Sequence, residues 1–112
     1  DFQALQFKLA DMTTELVAAR HFVRLAASKI DSDHSEATVY SAMAKRFATD
    51  VGFNVCNEAL QIFGGYGYLQ EFPLERYVRD VRVHQILEGT NEIMRMIIGR
   101  RMLMEDATQI IQ

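Results

Sequence analysis

The sequence predicts an all-α fold, a four-helix up-down bundle of three long helices and one short one. Three observations carry this expectation. Apolar residues recur at alternating steps of four and three, the spacing of one helix face. Pro73 is the sole proline and Gly52 the sole glycine before Gly64, so long helices can run unbroken. Polar and glycine clusters at Asp31–Ser35 and Gly64-Gly65 punctuate the periodic runs where helices should end. At 112 residues, 49% of them apolar, the chain is one domain's worth and can form a single small core.

The first helix shows in Leu5, Leu9, Met12, Leu16, Ala19, Val23, Ala26 and Ile30, one stripe held over many turns. Asp31-Ser32-Asp33-His34-Ser35 ends it, because these residues favour turns and N-caps. A second helix should start near Ser35, with Glu36 in its first turn, and run through Val39, Met43, Phe47 and Val51 to Ile62. Gly64 and Gly65 stop it, one of them supplying a left-handed cap residue. Pro73 suits the first position of a helix, so a short third helix is expected from Leu74 to about His84, with Tyr77, Val78 and Val81 inward. Arg76, Arg79 and Arg82, with Asp80 among them, read as a solvated, ion-paired face. The fourth helix is expected from about Thr90 to Asp106, burying Ile93, Met96, Ile97, Leu103 and Met104. Phe2, Phe7, Phe22 and Leu25 on the first helix, and Met94, Ile98 and Met102 on the last, fall outside these stripes. One interior cannot bury both sets, so the excess should face other subunits or domains.

The net charge of −3 comes from interspersed charges with no basic block, which argues against a nucleic-acid partner. Cys56, the single cysteine, cannot form an internal disulfide; it reads as a small buried apolar residue in a reducing compartment. No apolar run approaches a membrane span, and no signal pattern opens the chain. Because the chain begins at Asp1 and enters a helical pattern at once, a fragment of a longer subunit is expected. His21, His34 and His84 fall in different elements without ligand spacing, so no metal site is expected.

The stretch from Val83 to Arg95 is where chemistry is most concentrated. An apolar run stops at Glu88, passes through Gly89, and restarts as a helix whose first turn carries Thr90, Asn91 and Glu92. On spacing alone the favoured reading of Glu88 is a cap for the first-turn N–H groups. The second reading is a general base, its carboxylate desolvated by Ile86 and Leu87, with Gly89 leaving room for a ligand. Gly64-Gly65-Tyr66-Gly67-Tyr68 follows a helix, not a strand, so it is not a dinucleotide fingerprint. Either it is a helix terminator with Tyr66 and Tyr68 packed back on the bundle, or its backbone approaches a planar or phosphorylated ligand that Gln61 also reaches.

Taken together, Leu5-Gln6-Phe7-Lys8-Leu9-Ala10-Asp11-Met12, Gln61-Ile62-Phe63-Gly64-Gly65-Tyr66-Gly67-Tyr68, Arg79-Asp80 and Ile86-Leu87-Glu88-Gly89-Thr90 resemble the C-terminal helical domain of the flavin-dependent acyl-CoA dehydrogenases. The wording around Glu88 is most similar to short branched-chain members of the isobutyryl-CoA type. The resemblance implies that residues 1–112 are one domain of a subunit whose N-terminal helical and middle β domains lie elsewhere. It implies an oxidoreductase of fatty-acid or branched-chain amino-acid breakdown, working as a homotetramer with FAD, an acyl-CoA substrate and an electron-transfer flavoprotein as acceptor. The isolated fragment would then be inactive. The compartment would be the cytoplasm of a bacterium or the mitochondrial matrix of a eukaryote.

By the same resemblance Glu88 is the base that removes the substrate α-proton, and its backbone N–H hydrogen-bonds the thioester carbonyl. Gln61, Ile62, Phe63, Gly64 and Gly65 would touch an FAD held mainly by a neighbouring subunit. Thr90, Asn91 and Glu92 would line the FAD of their own site, Phe2 and Gln3 would also touch FAD, and Arg100 would belong to the substrate site. Two alternatives stand beside this one: a catalytically silent helical assembly module, and an acyl-CoA oxidase-like relative.

Overall fold

A computed structural model describes residues 2–104 and 110–111. The chain folds as α1 (Phe2–Asp31), α2 (Ala37–Phe63), α3 (Leu74–Arg82) and α4 (Asn91–Met102). Short 3-10 turns cover Gly64–Tyr68 and Val83–Gln85. The expected all-α class and the four helices are present, two of them long and two short. α4 closes at Met102 because the N–H groups of Leu103 and Met104 reach back three residues, to the carbonyls of Arg100 (3.2 Å) and Arg101 (3.1 Å). The remainder of the expected fourth helix, at positions 105 and 106, lies outside the described residues.

The second helix is the hub, and each of the others packs on it. Lys8 pairs with Glu58 (3.0 Å), Phe22 meets Phe47 at 5.8 Å between ring centroids, and Lys29 lies 5.0 Å over the Tyr40 ring. As α1 advances, its partners on α2 recede, so the two form an antiparallel hairpin, the relation an up-down bundle requires of its first two helices. α3 also runs against α2, with Arg82 over the Phe53 ring while Leu60 shares a cleft with Glu75, Val78 and Arg79. α4 does the same on the N-terminal half of α2, where Asn91 meets Asp50 and Arg101 meets Glu36. α3 and α4 therefore follow one another in the same direction, and the up-down alternation stops at α3.

Small residues set the close approach between helices. Ala19 and Ala26 of α1, with Val39, Ala42, Ala44 and Val51 of α2, are the buried apolar residues, and no large side chain among the described residues is wholly buried. Leu5, Met12, Ala19 and Ala26 recur every seven residues and form the seam against α2, joined by Phe22. Leu9, Leu16, Val23 and Ile30, expected in the same stripe, are exposed, because a single partner helix covers a narrower face than the full apolar stripe.

The rotation of α4 differs from expectation in the same way. Ile93, Met96, Leu103 and Met104 are exposed, Leu103 at 90%, whereas Met94, Ile97 and Ile98 are half-buried. The polar anchors Asn91 and Arg101 decide this: with them inward, positions 94 and 98 share their face. In α3, Val78 and Val81 are half-buried but Tyr77 is exposed, and Pro73 stands one residue before the helix, its carbonyl accepting from Tyr77 N–H (3.0 Å). Glu36 likewise precedes α2, buried and ion-paired with Arg101.

The arginine-rich face of α3 is solvated and paired as predicted, through Glu75–Arg79 (2.8 Å) and Arg76–Asp80 (3.4 Å). The Arg79 guanidinium holds the Glu75 carboxyl below its usual range. Cys56 is half-buried, and burial pushes its thiol up, as suits an apolar filler.

With Phe2, Phe7, Leu9, Leu16, Val23, Leu25 and Ile30 all exposed along α1, the 112-residue chain carries more apolar surface than it can cover. Purified alone it should be helical by circular dichroism yet self-associated. Light scattering at micromolar concentration checks this; a monodisperse monomer that binds no hydrophobic dye would contradict it.

Candidate functional site

The segment between α3 and α4 owes its path to two left-handed residues. The N–H groups of Ile86 and Leu87 both donate to the Val83 carbonyl (2.9 Å each), which closes the 3-10 turn. The backbone then reverses through Glu88 at φ 56° and Gly89 at φ 87°. A glycine takes that conformation freely, but for a residue with a side chain it costs about 1–2 kcal/mol. Glu88 therefore stands in a conformation that its surroundings must hold.

Thr90, extended at φ −63° and ψ 160°, caps α4 by accepting from Ile93 N–H at its Oγ1 (3.3 Å). The favoured reading of Glu88 as the cap is thus corrected. A cap must directly precede the first helical residue, and Glu88 lies two positions upstream of Thr90. Its side chain is exposed and makes no hydrogen bond among the described residues. The expected desolvation by its neighbours is not met either: Ile86 is 51% and Leu87 45% exposed. An apolar wall over Glu88 must come from a surface other than these residues.

What holds the segment is a polar junction with α2. Lys45 Nζ donates to the Gly89 carbonyl (2.9 Å) and to Asn91 Oδ1 (2.7 Å). Asn91 Nδ2 donates to Thr49 Oγ1 (2.9 Å) and Asp50 Oδ1 (2.8 Å). Gln85 Nε2 donates to that same Asp50 oxygen at 2.8 Å, and Arg46 and Arg95 flank Oδ2 at 3.7 and 3.5 Å. Lys45, Thr49, Asp50 and Gln85 were not among the residues singled out from sequence. For the three on α2 the signal was charge density: Lys45, Arg46 and Asp50, three of the four charged residues of α2, fall within six positions together with Thr49.

The remaining predicted residues fall into separate places. Lys8 pairs with Glu58, so the start of α1 lies beside the end of α2, which brings Phe2 and Gln3 to the same end of the molecule as Gln61–Gly65. Phe2, Gln3, Gln61, Phe63, Gly64 and Gly65 are exposed and Ile62 half-buried. Glu88, Thr90, Asn91 and Glu92 sit near the middle of α2, about 17 Å along its axis if measured from Asp50 to Gln61 at the helical rise. Arg100 is exposed on α4, roughly 14 Å beyond Asn91 by the same rise. Asn91 is only 3% exposed, its side chain committed to the junction, so what it can offer a ligand is its backbone N–H.

In the glycine loop, Gly64 is the left-handed C-cap of α2 at φ 63°, its N–H donating to the Gln61 carbonyl. Gly67, not anticipated, is the residue that must lack a side chain, since a Cβ there would lie 2.7 Å from the Leu60 carbonyl oxygen. Tyr66 and Tyr68 do not pack back on the bundle; Tyr68 is 79% exposed. Phe72 instead covers this end, edge-on to both Phe63 and Tyr66 at 6.0 Å. Among the described residues nothing stands within 4 Å of where a Cβ on Gly65 would be, so no contact among them explains that glycine.

A family model described as "Acyl-CoA dehydrogenase, C-terminal domain" matches residues 1–103. The mitochondrial isobutyryl-CoA dehydrogenase of Bos taurus is 55% identical over 103 residues, covering 92% of this chain and 25% of that protein. A butyryl-CoA dehydrogenase structure from Megasphaera elsdenii superposes with a TM-score of 0.89 at 47% identity, covering 93% of this chain and 27% of that one. A chain from a structural study of the electron transferring flavoprotein of Acidaminococcus fermentans does so with the same TM-score and identity, covering 94% and 27%. The chain thus spans about a quarter of the length of the curated relatives it matches.

If Glu88 is held against its backbone preference, Glu88→Gly should stabilise the fold by about 0.5–1 kcal/mol, as glycine adopts a left-handed φ without the steric cost. Denaturant unfolding reads this out. A loss of stability would show that the Glu88 side chain itself holds the loop.

Proposed function

The chain belongs to the acyl-CoA dehydrogenase family, as its C-terminal domain, and from that premise we propose that the whole protein carries out FAD-dependent α,β-dehydrogenation of an acyl-CoA thioester with Glu88 as base. The observation that carries this reading is an exposed carboxylate, free of hydrogen bonds among the described residues, on a left-handed turn pinned at both ends to α2. Such a group is spent on no structural task among the described residues, which supports a role toward a ligand.

In the reaction Glu88 removes the α-proton, the β-hydrogen leaves as hydride, and a double bond forms between the α and β carbons. FAD, when bound, supplies the hydride acceptor. The Glu88 backbone N–H donates to the thioester carbonyl, stabilising the enolate-like charge that develops as the proton leaves. An apolar acyl chain seated beside Ile86 and Leu87, under the middle domain, would exclude water from the carboxylate. Without that cover the isolated chain is inactive.

The residues present fit the cofactor in two places. By helix geometry the first-turn N–H groups of α4 lack intrahelical acceptors, and the positive end of the helix dipole suits a pyrophosphate; Thr90, Asn91 and Glu92 would serve the subunit's own FAD there. Gly64 and Gly65 leave backbone open with nothing among the described residues within 4 Å of a Cβ, a surface that a second FAD could approach closely, alongside Gln61, Ile62, Phe63, Phe2 and Gln3. The separation of the two places along α2 favours two cofactors and so a homo-oligomer, a tetramer by the family resemblance.

The relatives named for isobutyryl-CoA and for short-chain acyl-CoA favour a short, branched acyl group, with Arg100 toward the outer part of the substrate. An electron-transfer flavoprotein is the proposed acceptor. The compartment would be the mitochondrial matrix in a eukaryote or the cytoplasm in a bacterium. In the full-length enzyme, Glu88→Gln should leave FAD bound and cut dehydrogenation at least about a hundredfold, because the amide keeps the shape and loses the base. Flavin absorbance and acyl-CoA turnover measure the two effects, and turnover within a few-fold of wild type would overturn the assignment.

A further inference from the structure

Glu88 and Gly89 are left-handed, yet little in the backbone or the apolar packing holds them so. Ile86 and Leu87 are too exposed to anchor the turn, and the Glu88 side chain has no hydrogen-bond partner among the described residues. The restraints that do exist come from α2. Gln85 and Asn91, three residues to either side of Glu88, both donate to one oxygen of Asp50 (2.8 Å each). Lys45 adds a direct bond to the Gly89 carbonyl (2.9 Å) and a second to Asn91 Oδ1 (2.7 Å).

We propose that Lys45 and Asp50 are positioning residues, a polar clamp that fixes residues 86–90 on α2 and thereby fixes where the Glu88 carboxylate stands. The inference rests on the reading of Glu88 as the base. Lys45 is well chemically suited to the task. Among the described residues it is the one side-chain donor reaching the turn itself, and its ammonium bonds the carbonyl of the left-handed glycine that follows Glu88. Asp50 is the common acceptor for the two ends, so the turn is closed like a loop tied at one point. Removing Lys45 frees the Gly89 carbonyl, and the turn can relax toward ordinary φ values, carrying the carboxylate away from the substrate α-carbon. A displacement near 1 Å is enough to cost on the order of a hundredfold in rate.

The test uses the full-length, FAD-loaded enzyme with butyryl-CoA and a dye acceptor, alongside amide hydrogen exchange of residues 86–90. Lys45→Met should exchange at least about tenfold faster in that segment and lose at least about tenfold in kcat, with KM within about threefold and flavin content unchanged. Lys45→Arg, which keeps a cationic donor, should recover both values to within about threefold of wild type. Unchanged exchange in Lys45→Met, or an unchanged kcat, overturns the proposal. Should Lys45→Met fail to fold, Gln85→Leu cuts only the upstream tie and must also speed exchange and lower kcat; unchanged values there overturn it equally. Glu88→Gln run in parallel separates the two ideas, since full activity in that variant refutes the base while the exchange result still judges the clamp.

Discussion

The carboxylate of Asp50 is the constraint on which the arrangement of α2, α3 and α4 depends. A charge set into a helical interface is costly unless its oxygens are filled. Asp50 Oδ1 takes two side-chain amides, from Gln85 and Asn91, and Oδ2 faces the guanidiniums of Arg46 and Arg95. To reach that one group, α3 must end just after Arg82 and α4 must start at Asn91, both against the same turn of α2. The chain between has few residues in which to turn, which accounts for the consecutive left-handed backbone at Glu88 and Gly89. A second ion pair, the buried Glu36 with the part-buried Arg101, secures the far end of α4 and fixes its rotation from the other side.

Much of the scaffold was legible because its signals are local. The periodicity of α1, the polar break at Asp31–Ser35 and the glycine stop at Gly64 each act within a few residues, and the helices begin and end close to where those signals fall. Which face of each helix turns inward was not legible for α1 and α4. On α1 the sequence carries apolar residues for more partners than α2 alone, so Leu9 and Leu16 looked the same as Leu5 and Met12. On α4 two polar residues outweigh the apolar count, and a hydrophobicity pattern cannot anticipate that Asn91 will be the buried residue and Ile93 the exposed one.

The candidate site divides along the same line. Glu88, Gly89 and Thr90 could be picked out from composition and spacing, although the cap proved to be Thr90. The clamp could not, because Lys45 and Asp50 lie more than a helix away in sequence from the turn they hold. The family resemblance also marked residues that the fold places apart, with Gln61–Gly65 at one end of α2 and Glu88–Glu92 at its middle. A helix keeps such sites at a fixed spacing, and a rigid spacing of this kind is what two cofactors in adjoining subunits would require.

In the proposed reaction, removal of the α-proton is the step assigned to this chain's own residues, and solvent isotope exchange observes it without electron transfer. The full-length enzyme, incubated with a β-substituted acyl-CoA that cannot be oxidised, should incorporate deuterium at the acyl α-carbon from D₂O, and Glu88→Gln should not. Equal incorporation by the two proteins would show that another group takes the proton and would contradict the account.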